Sequence, residues 1–229
     1  PSNLIEQILI FKSPSADLPS DFGGGIVKII TKGVPDKNYF SVSYSSGFRS
    51  GTTFEDYSNS KISGLELLGF NSGKNDLDEQ FPADLRQVDD MERLEHARGL
   101  QNNWLAQSSK ALPDQSLSAT AAYVFDLGNL KIGNTTALLY NNSYKIQNVL
   151  RQEFNAYDFE LEKSSVIYDF TDNQNKQNIR SGIMHDWVFE IGNHSKIEFK
   201  NLFNQLASKE YVYRTGNHYD FGYYADNHS

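Results

Sequence analysis

Apolar and polar residues alternate along much of this chain, a pattern that predicts β-strands. In the clearest stretch, Phe40, Val42 and Tyr44 fall on one face, and Ser41 and Ser43 fall on the other. Successive side chains of a strand point to opposite faces, so a period of two residues gives one apolar and one polar face. The same alternation predicts strands at 117–127, from 130 onward, up to 191 and from 196 onward. The chain is therefore predicted to be all-β, with about five antiparallel strands.

The connections between these strands are predicted to alternate between short and long. Tight turns are expected at residues 127–129 and 192–195, and polar connections at 51–113 and 157–165. Within the first polar connection, apolar residues at near-helical spacing in 84–101 predict a short helix. A connection of about 60 residues is unusual in a compact soluble domain, whereas outer-membrane barrels have short turns on one side and long loops on the other. The order of connections therefore favours the start of such a barrel.

The first 32 residues follow a different pattern. Apolar side chains occupy both faces of residues 4–11 and of residues 26–30. Strands of this kind are typically covered on both sides, so we expect both to be buried. Gly23, Gly24 and Gly25 precede the second strand and are expected to allow a sharp turn and close packing. They are not expected to bind phosphate, because no phosphate-loop motif is present and a strand follows them where a helix would be required.

Two segments of this region carry a resemblance to a known family. Residues 5–14 (IEQILIFKSP) and 24–32 (GGIVKIITK) resemble the end of the plug domain of TonB-dependent outer-membrane receptors, which has the form IERIEVLRGP and then GGVINIITK. Leu9, Lys12 and Ser13 depart from the family's Glu, Arg and Gly. Lysine offers a point charge in place of arginine's planar fork, which weakens any bidentate contact to barrel carboxylates. Residues 15–19, 51–54 and 68–70 look like the branch of the family found in Bacteroidota-type bacteria.

The resemblance implies a fold, a function and a place in the cell. Residues 1–33 would be the C-terminal part of a plug domain, and residues 34–229 the incomplete N-terminal part of a transmembrane β-barrel of about 22 strands. The receptor would bind an extracellular solute and import it across the outer membrane, which is the implied localisation. Its expected partners are the TonB complex, reached through a missing N-terminal segment, outer-membrane lipid, the solute and a possible surface lipoprotein.

Composition and charge narrow the alternatives. A net charge of -8 without a basic stripe argues against nucleic-acid binding. No apolar run approaches the ~18 residues of a spanning helix, so a membrane location would require a β-barrel. Aromatic residues make up 13% of the chain, which suits an interfacial girdle. The alternative that the sequence leaves open is a secreted or surface β-sandwich that binds glycans, with the aromatic side chains as a stacking platform.

Chemistry-bearing residues form no set that indicates catalysis. The chain has no Cys, and no nucleophile lies in a recognisable signature with a base and an acid. We therefore predict that it is not an enzyme and needs no cofactor. An outer-membrane enzyme barrel, a third possibility, would require such a set. The substrate-binding residues of a receptor cannot be named from this sequence.

No metal or glycan site is predicted either. Glu92 and His96 could share one helical face as two metal ligands, but a solvated face is the favoured interpretation. The acidic run at 75–79 lacks the residue order of a calcium loop. The remaining histidines, without ligand spacing, are His185, His194, His218 and His228, and His185 falls on the apolar face of its predicted strand. Asn-x-Ser/Thr triplets, interpreted as chance matches, begin at Asn134, Asn141 and Asn193.

Position along the predicted strands separates three groups of side chains. Aromatic residues expected at the periplasmic boundary are Phe40, Tyr123, Phe125, Trp187 and Phe189. Tyrosines expected toward the outer side, as girdle or ligand-contacting residues, are Tyr211, Tyr213, Tyr219, Tyr223 and Tyr224. Polar residues expected to face the lumen are Ser41, Ser43, Thr120 and Asp186.

Overall fold

The fold was obtained as a computed structural model, which describes residues 5–13, 24–59, 64–73, 76–77, 81–99, 107–192 and 194–228. Strands account for 64% of the described residues, and they form antiparallel sheets. The all-β prediction is therefore confirmed at this level. Helical structure is limited to short elements among the described residues.

The first sheet is the two-stranded hairpin of β1 (Ile5–Phe11) and β2 (Ile26–Thr31). Phe11 lies opposite Ile26 and Ile8 opposite Ile29. The expectation that both faces of these strands are buried is wrong for the described chain, because Ile8, Ile10, Val27 and Ile29 are 52–64% exposed. The physical reason is that the hairpin forms a sheet of its own, and the described residues do not cover these side chains.

Six strands form the main sheet, in the order β10-β9-β8-β7-β6-β3. Their bounds are β3 (Tyr39–Gly47), β6 (Asp114–Asp126), β7 (Leu130–Phe154), β8 (Val166–Ile191), β9 (Ser195–His218) and β10 (Gly222–His228). The five expected strands are all present. The sixth, β10, is not among the strands that the sequence predicts. Strands β7, β8 and β9 are also longer than the alternation indicated.

Two connections differ in structure from the expectation of long loops. Between β7 and β8, the backbone nitrogen of Asn155 donates to the carbonyl of Ser165, and Asp158 and Lys163 form a β-bridge, so the connection is a compact turn. The polar connection at 51–113 contains β4 (Asp56–Asn59), which pairs with β5 (Gln107–Lys110). It also contains 3-10 helices at Gly64–Leu68 and Leu85–Gln87 and the helix α1 (Asp90–Gly99).

The predicted helix of the polar connection is confirmed. Asp89 caps its N-terminus, because the Oδ1 atom accepts hydrogen bonds from the backbone nitrogens of Met91 and Glu92, both at 2.9 Å. The helix ends at Gly99. Glycine has no side chain, so the backbone can leave the helical conformation there at little cost. No residue of α1 is buried, so the helix contributes no core packing among the described residues.

The chain divides into two compact units, to which the long strands contribute different segments. The first unit comprises residues 1–45, 116–141 and 181–204, and the second comprises residues 46–115, 142–180 and 205–229. Within the first unit, the backbone of Val34 and Pro35 passes directly over β7 at Gly133. A Cβ on Gly133 would lie 2.8 Å from Pro35 Cδ, so only glycine allows this approach.

Candidate functional site

Burial is inverted in the described part of the chain. Eleven buried side chains are polar or charged and eight are hydrophobic, while many large apolar side chains are exposed. In a soluble domain the apolar side chains supply the core, and single exposed ones are scattered over the surface. The burial of apolar and polar side chains in the described residues therefore differs from that of a soluble domain.

In the first unit, one face of the sheet carries an apolar surface, which we call the apolar belt. Side-chain alternation places its members on one side of β3, β6, β7, β8 and β9, and each is 45–70% exposed. Its members are Phe40, Val42, Tyr44, Leu117, Tyr123, Phe125, Leu138, Ile183, Ile191, Ile197, Phe199 and Phe203. A contiguous surface of this kind marks an interaction with protein, ligand or membrane.

Aromatic rings connect neighbouring strands on the belt side of the first unit. The Trp187 ring stacks on Phe189, with centroids 6.2 Å apart, and Phe189 meets Phe199 edge to face. His185, which we expected on the apolar face, lies beside Trp187. Trp187 Nε1 donates to His185 Nε2 at 2.9 Å, and His185 Nδ1 lies 2.8 Å from Thr136 Oγ1. A neutral imidazole with its proton on Nδ1 satisfies both contacts, because indole nitrogen can only donate.

The opposite face of the first unit carries polar side chains together with the apolar Met184 and Val188, and the linker, residues 31–39, lies over part of it. Thr120 and Asp186, two of the residues expected to face the lumen, are buried there, whereas Ser41 and Ser43 are exposed. Thr31 Oγ1 donates to Asp186 Oδ2 at 3.3 Å, and the backbone nitrogen of Asn201 donates to Asp186 Oδ1 at 3.3 Å. A cleft of about 160 Å³ lies between the linker and the Thr135, Met184 and Asp186 side chains.

In the second unit, residues 49–59 and 64–69 lie against β7, β8 and β9, and we call them the covering segment. The backbone nitrogen of Ile146 donates to Thr52 Oγ1 at 3.1 Å, and that of Ser58 donates to Asn175 Oδ1 at 3.3 Å. Gln205 Nε2 donates to the carbonyl of Gly69 at 2.7 Å. These hydrogen bonds attach the covering segment to β7, β8 and β9, and Arg49 Nη2 also donates to Asp114 Oδ2 of β6 at 2.8 Å.

Beneath the covering segment lies a cluster of tyrosines and amides. The rings of Tyr57 and Tyr144 meet edge to face at 5.3 Å, and Gln177 Nε2 donates both to Tyr144 Oη at 3.0 Å and to Asn142 Oδ1 at 2.9 Å. Burial raises the pKa of Tyr57 to about 12, opposed in part by the hydrogen bond from Asn59 Nδ2 to its hydroxyl. Tyr57 therefore stays a neutral hydroxyl throughout the physiological range.

A second cluster in this unit joins two arginines to one buried carboxylate. Arg214 Nε donates to Asp172 Oδ1 at 2.7 Å, and Arg214 Nη2 donates to Asp172 Oδ2 at 2.9 Å. Arg151 Nε lies 2.8 Å from Asp172 Oδ2. The Asp172 side chain is 1% exposed, whereas that of Arg151 is 52% exposed. The cluster is built by three different strands, and nothing in the local sequence around any one residue indicated it.

The weaker sequence candidates do not assemble into sites. Glu92 Oε1 and His96 Nε2 lie 3.9 Å apart on α1, and the described residues hold no group of three or more side chains suited to a metal ion. Asn134 is buried and its Nδ2 donates to the carbonyl of Asp186, so it is not free to accept a glycan.

Gly25 allows a close approach between the two strands of the first hairpin, since a Cβ there would lie 3.1 Å from the Phe11 carbonyl oxygen.

Several of these predictions lie wholly or partly outside the described residues. They concern the turn at Gly23, the family resemblance of residues 15–19, most of the acidic run at 75–79 and the glycan triplet that begins at Asn193. His194 and His218 are described and belong to different units. The tyrosines expected toward the outer side fall in the second unit, and among them Tyr211 is buried while Tyr219 is 80% exposed.

Comparison with known proteins yields no relative. No family model matches the chain, and neither a curated protein nor a solved structure matches it. In the part of the chain that the structure describes, no helix has the length and hydrophobicity needed to cross a membrane.

Proposed function

We propose that this chain is part of a TonB-dependent outer-membrane receptor that binds an extracellular solute and imports it. In this proposal the strands of the first unit cross the membrane, and residues 1–33 are the end of the plug. The membrane-crossing parts are residues 39–45, 117–126, 130–140, 182–191 and 196–204. A transmembrane strand needs about 9–11 residues, tilted in the bilayer, so these lengths are of the right order.

The observation that carries the proposal is the position of the apolar belt opposite a buried polar face. Outer-membrane strands alternate between apolar residues that face lipid and polar residues that face the interior. Val42 and Phe125 on one side, and Thr120 and Asp186 on the other, follow this rule. His185 lies among belt residues, but its ring nitrogens are bonded within the chain. It therefore brings no unsatisfied polar atom to lipid.

The linker supports the second part of the proposal. Residues that follow the hairpin of β1 and β2 cover the polar face of the first unit, where Thr31 bonds to Asp186. A plug must remain attached to the inner wall of its barrel and yet be able to move when force is applied. The 3.3 Å bond from Thr31 to Asp186 and the 2.7 Å bond from the Val124 backbone nitrogen to Asn38 Oδ1 are together a modest attachment of this kind.

The alternative, a β-sandwich that binds glycans, fits this burial pattern less well. A sandwich packs the apolar faces of two sheets against each other and leaves its polar faces in water. Here the apolar face is exposed, and the opposite face buries polar side chains such as Thr120 and Asp186, although Ser41 and Ser43 on that face are exposed. The six aromatic members of the belt would have to serve as a sugar platform, although the other six members are aliphatic and offer no stacking surface.

Fractionation of cells that produce the full-length protein tests the proposal. We expect the protein in the outer-membrane fraction, extractable only with detergent, together with outer-membrane lipid. Uptake of its solute should require TonB, and a surface lipoprotein could copurify with it. Recovery of the protein as a soluble, monomeric species from the periplasm would contradict the proposal.

A further inference from the structure

The pair of arginines around Asp172 holds more positive charge than the carboxylate neutralises. Arg214 uses its Nε and Nη2 atoms on Asp172, and Arg151 uses its Nε. A guanidinium has five N–H donors, so the Nη groups of Arg151 retain donors that no described residue accepts. Among these three groups, two cations and one anion leave a surplus of one positive charge, in a chain whose net charge is -8. A further carboxylate, Asp226, lies opposite Arg214 on the neighbouring strand and accepts a hydrogen bond from the Tyr224 hydroxyl.

Asp172 also fixes the orientation of both guanidinium groups. Its two carboxylate oxygens are fully engaged by the bidentate contact to Arg214 and the single contact to Arg151. A purely structural ion pair between strands needs only one cation for each carboxylate. The second arginine therefore adds a directed, half-exposed donor set, which matches pairs of oxygen atoms on planar carboxylates and on tetrahedral phosphates.

Aromatic rings border the cluster. The Arg214 guanidinium lies 5.4 Å from the centre of the Phe170 ring. Phe170 stacks on Tyr168 at 4.8 Å and lies 5.7 Å from Tyr224. These rings lower the local access of water, which strengthens a charge-assisted hydrogen bond to a ligand. They also offer flat surfaces to the remainder of a solute.

We propose that Arg151, held in place by Asp172 beside Arg214, binds an oxyanion group, carboxylate or phosphate, of the solute. The assignment of this anion to a transported solute rests on the proposed receptor function. The binding site itself does not rest on that function, because it is defined by three side chains of the second unit.

Equilibrium binding to the full-length protein in detergent tests this inference. Citrate and inorganic phosphate are titrated separately by calorimetry at low ionic strength, which shows whether carboxylate or phosphate is the preferred group. We expect saturable binding of at least one of them. Arg151→Gln should weaken it by about 10-fold, the loss of one charge-assisted contact. Arg151→Lys should give an intermediate loss, since it keeps the charge without the fork.

Lys145→Gln is the matched control, because Lys145 is an exposed cation on the same strand that makes no contact with Asp172. It should bind as the unaltered protein does. Arg214 still pairs with Asp172 when Arg151 is replaced, so Arg151→Gln is expected to fold. If it does not fold, anion binding by Arg151→Lys tests the role of Arg151 instead. The inference is overturned if neither anion binds saturably, if the Arg151 variants bind normally, or if Lys145→Gln loses as much. Absence of anion binding would not affect the proposed outer-membrane location. Recovery of the protein as a soluble periplasmic species would contradict the receptor function but not the anion site.

Discussion

Val42→Arg is expected to destabilise the protein in a bilayer by about 2–4 kcal/mol, the cost of an arginine on the lipid face near the middle of a membrane strand. Val42 is 58% exposed and lies midway along β3. For an exposed residue of a soluble sheet the same change would cost within about 0.5 kcal/mol. Denaturant unfolding in lipid or detergent micelles measures the difference.

Ser43→Arg is the control for Val42→Arg. Ser43 follows Val42 directly and is also exposed in the described chain, but it points to the opposite face. In a barrel it would face the polar interior, so we expect a change of roughly 0–1 kcal/mol for this substitution. Equal effects at the two positions, large or small, would remove the distinction between a lipid face and a lumen face.

The stability of the second unit is expected to fall between about pH 10 and pH 12 because of Tyr57. An unfolded tyrosine titrates near pH 10, while burial raises the pKa of Tyr57 to about 12 in the folded chain. Below pH 10 Tyr57 keeps its proton in both the folded and the unfolded state, so its contribution to the free energy of unfolding is fully present. Above it the unfolded state alone loses the proton, and stability decreases by up to about 2–3 kcal/mol as the pH passes the folded pKa.

Tyr57→Phe should remove this part of the pH dependence. Tyr223→Phe, which changes a tyrosine that is 70% exposed, should leave it intact. The measurement is the unfolding free energy of the three proteins at pH 9 and pH 11.5. A Tyr57→Phe variant that loses as much stability as the unaltered protein across this interval would show that another group is responsible.

Features that depend on local pattern were accessible from the sequence. The alternation around Phe40 and Val42 identified β3 and its apolar face, and the spacing of apolar residues before Gly99 identified α1. Both signals repeat within a few residues, at the periods of a strand and of a helix. The position of His185 on the apolar side followed from the same alternation.

Features that depend on register between distant strands were not accessible. Arg151, Asp172 and Arg214 come from β7, β8 and β9, and their meeting requires the pairing of all three strands. The covering segment is a similar case, since the bond between Ser58 and Asn175 joins residues 117 positions apart. Strand β10 was missed because its sequence, GYYADNH, is short and polar, and it is stabilised by pairing with β9.

In the proposed receptor, one face of the first unit meets lipid and the other does not. Since the chain has no Cys, single cysteines can be introduced at residues 40, 41, 42, 43 and 44 and spin-labelled in the protein reconstituted into bilayers. Accessibility to oxygen, which concentrates in lipid, and to a water-soluble nickel complex is then measured at each site. If the apolar belt meets lipid, oxygen accessibility is expected to be high at 40, 42 and 44, and nickel accessibility is expected to be greater at 41 and 43. Equal nickel accessibility at all five sites, or protection of 40, 42 and 44 from both reagents, would contradict it.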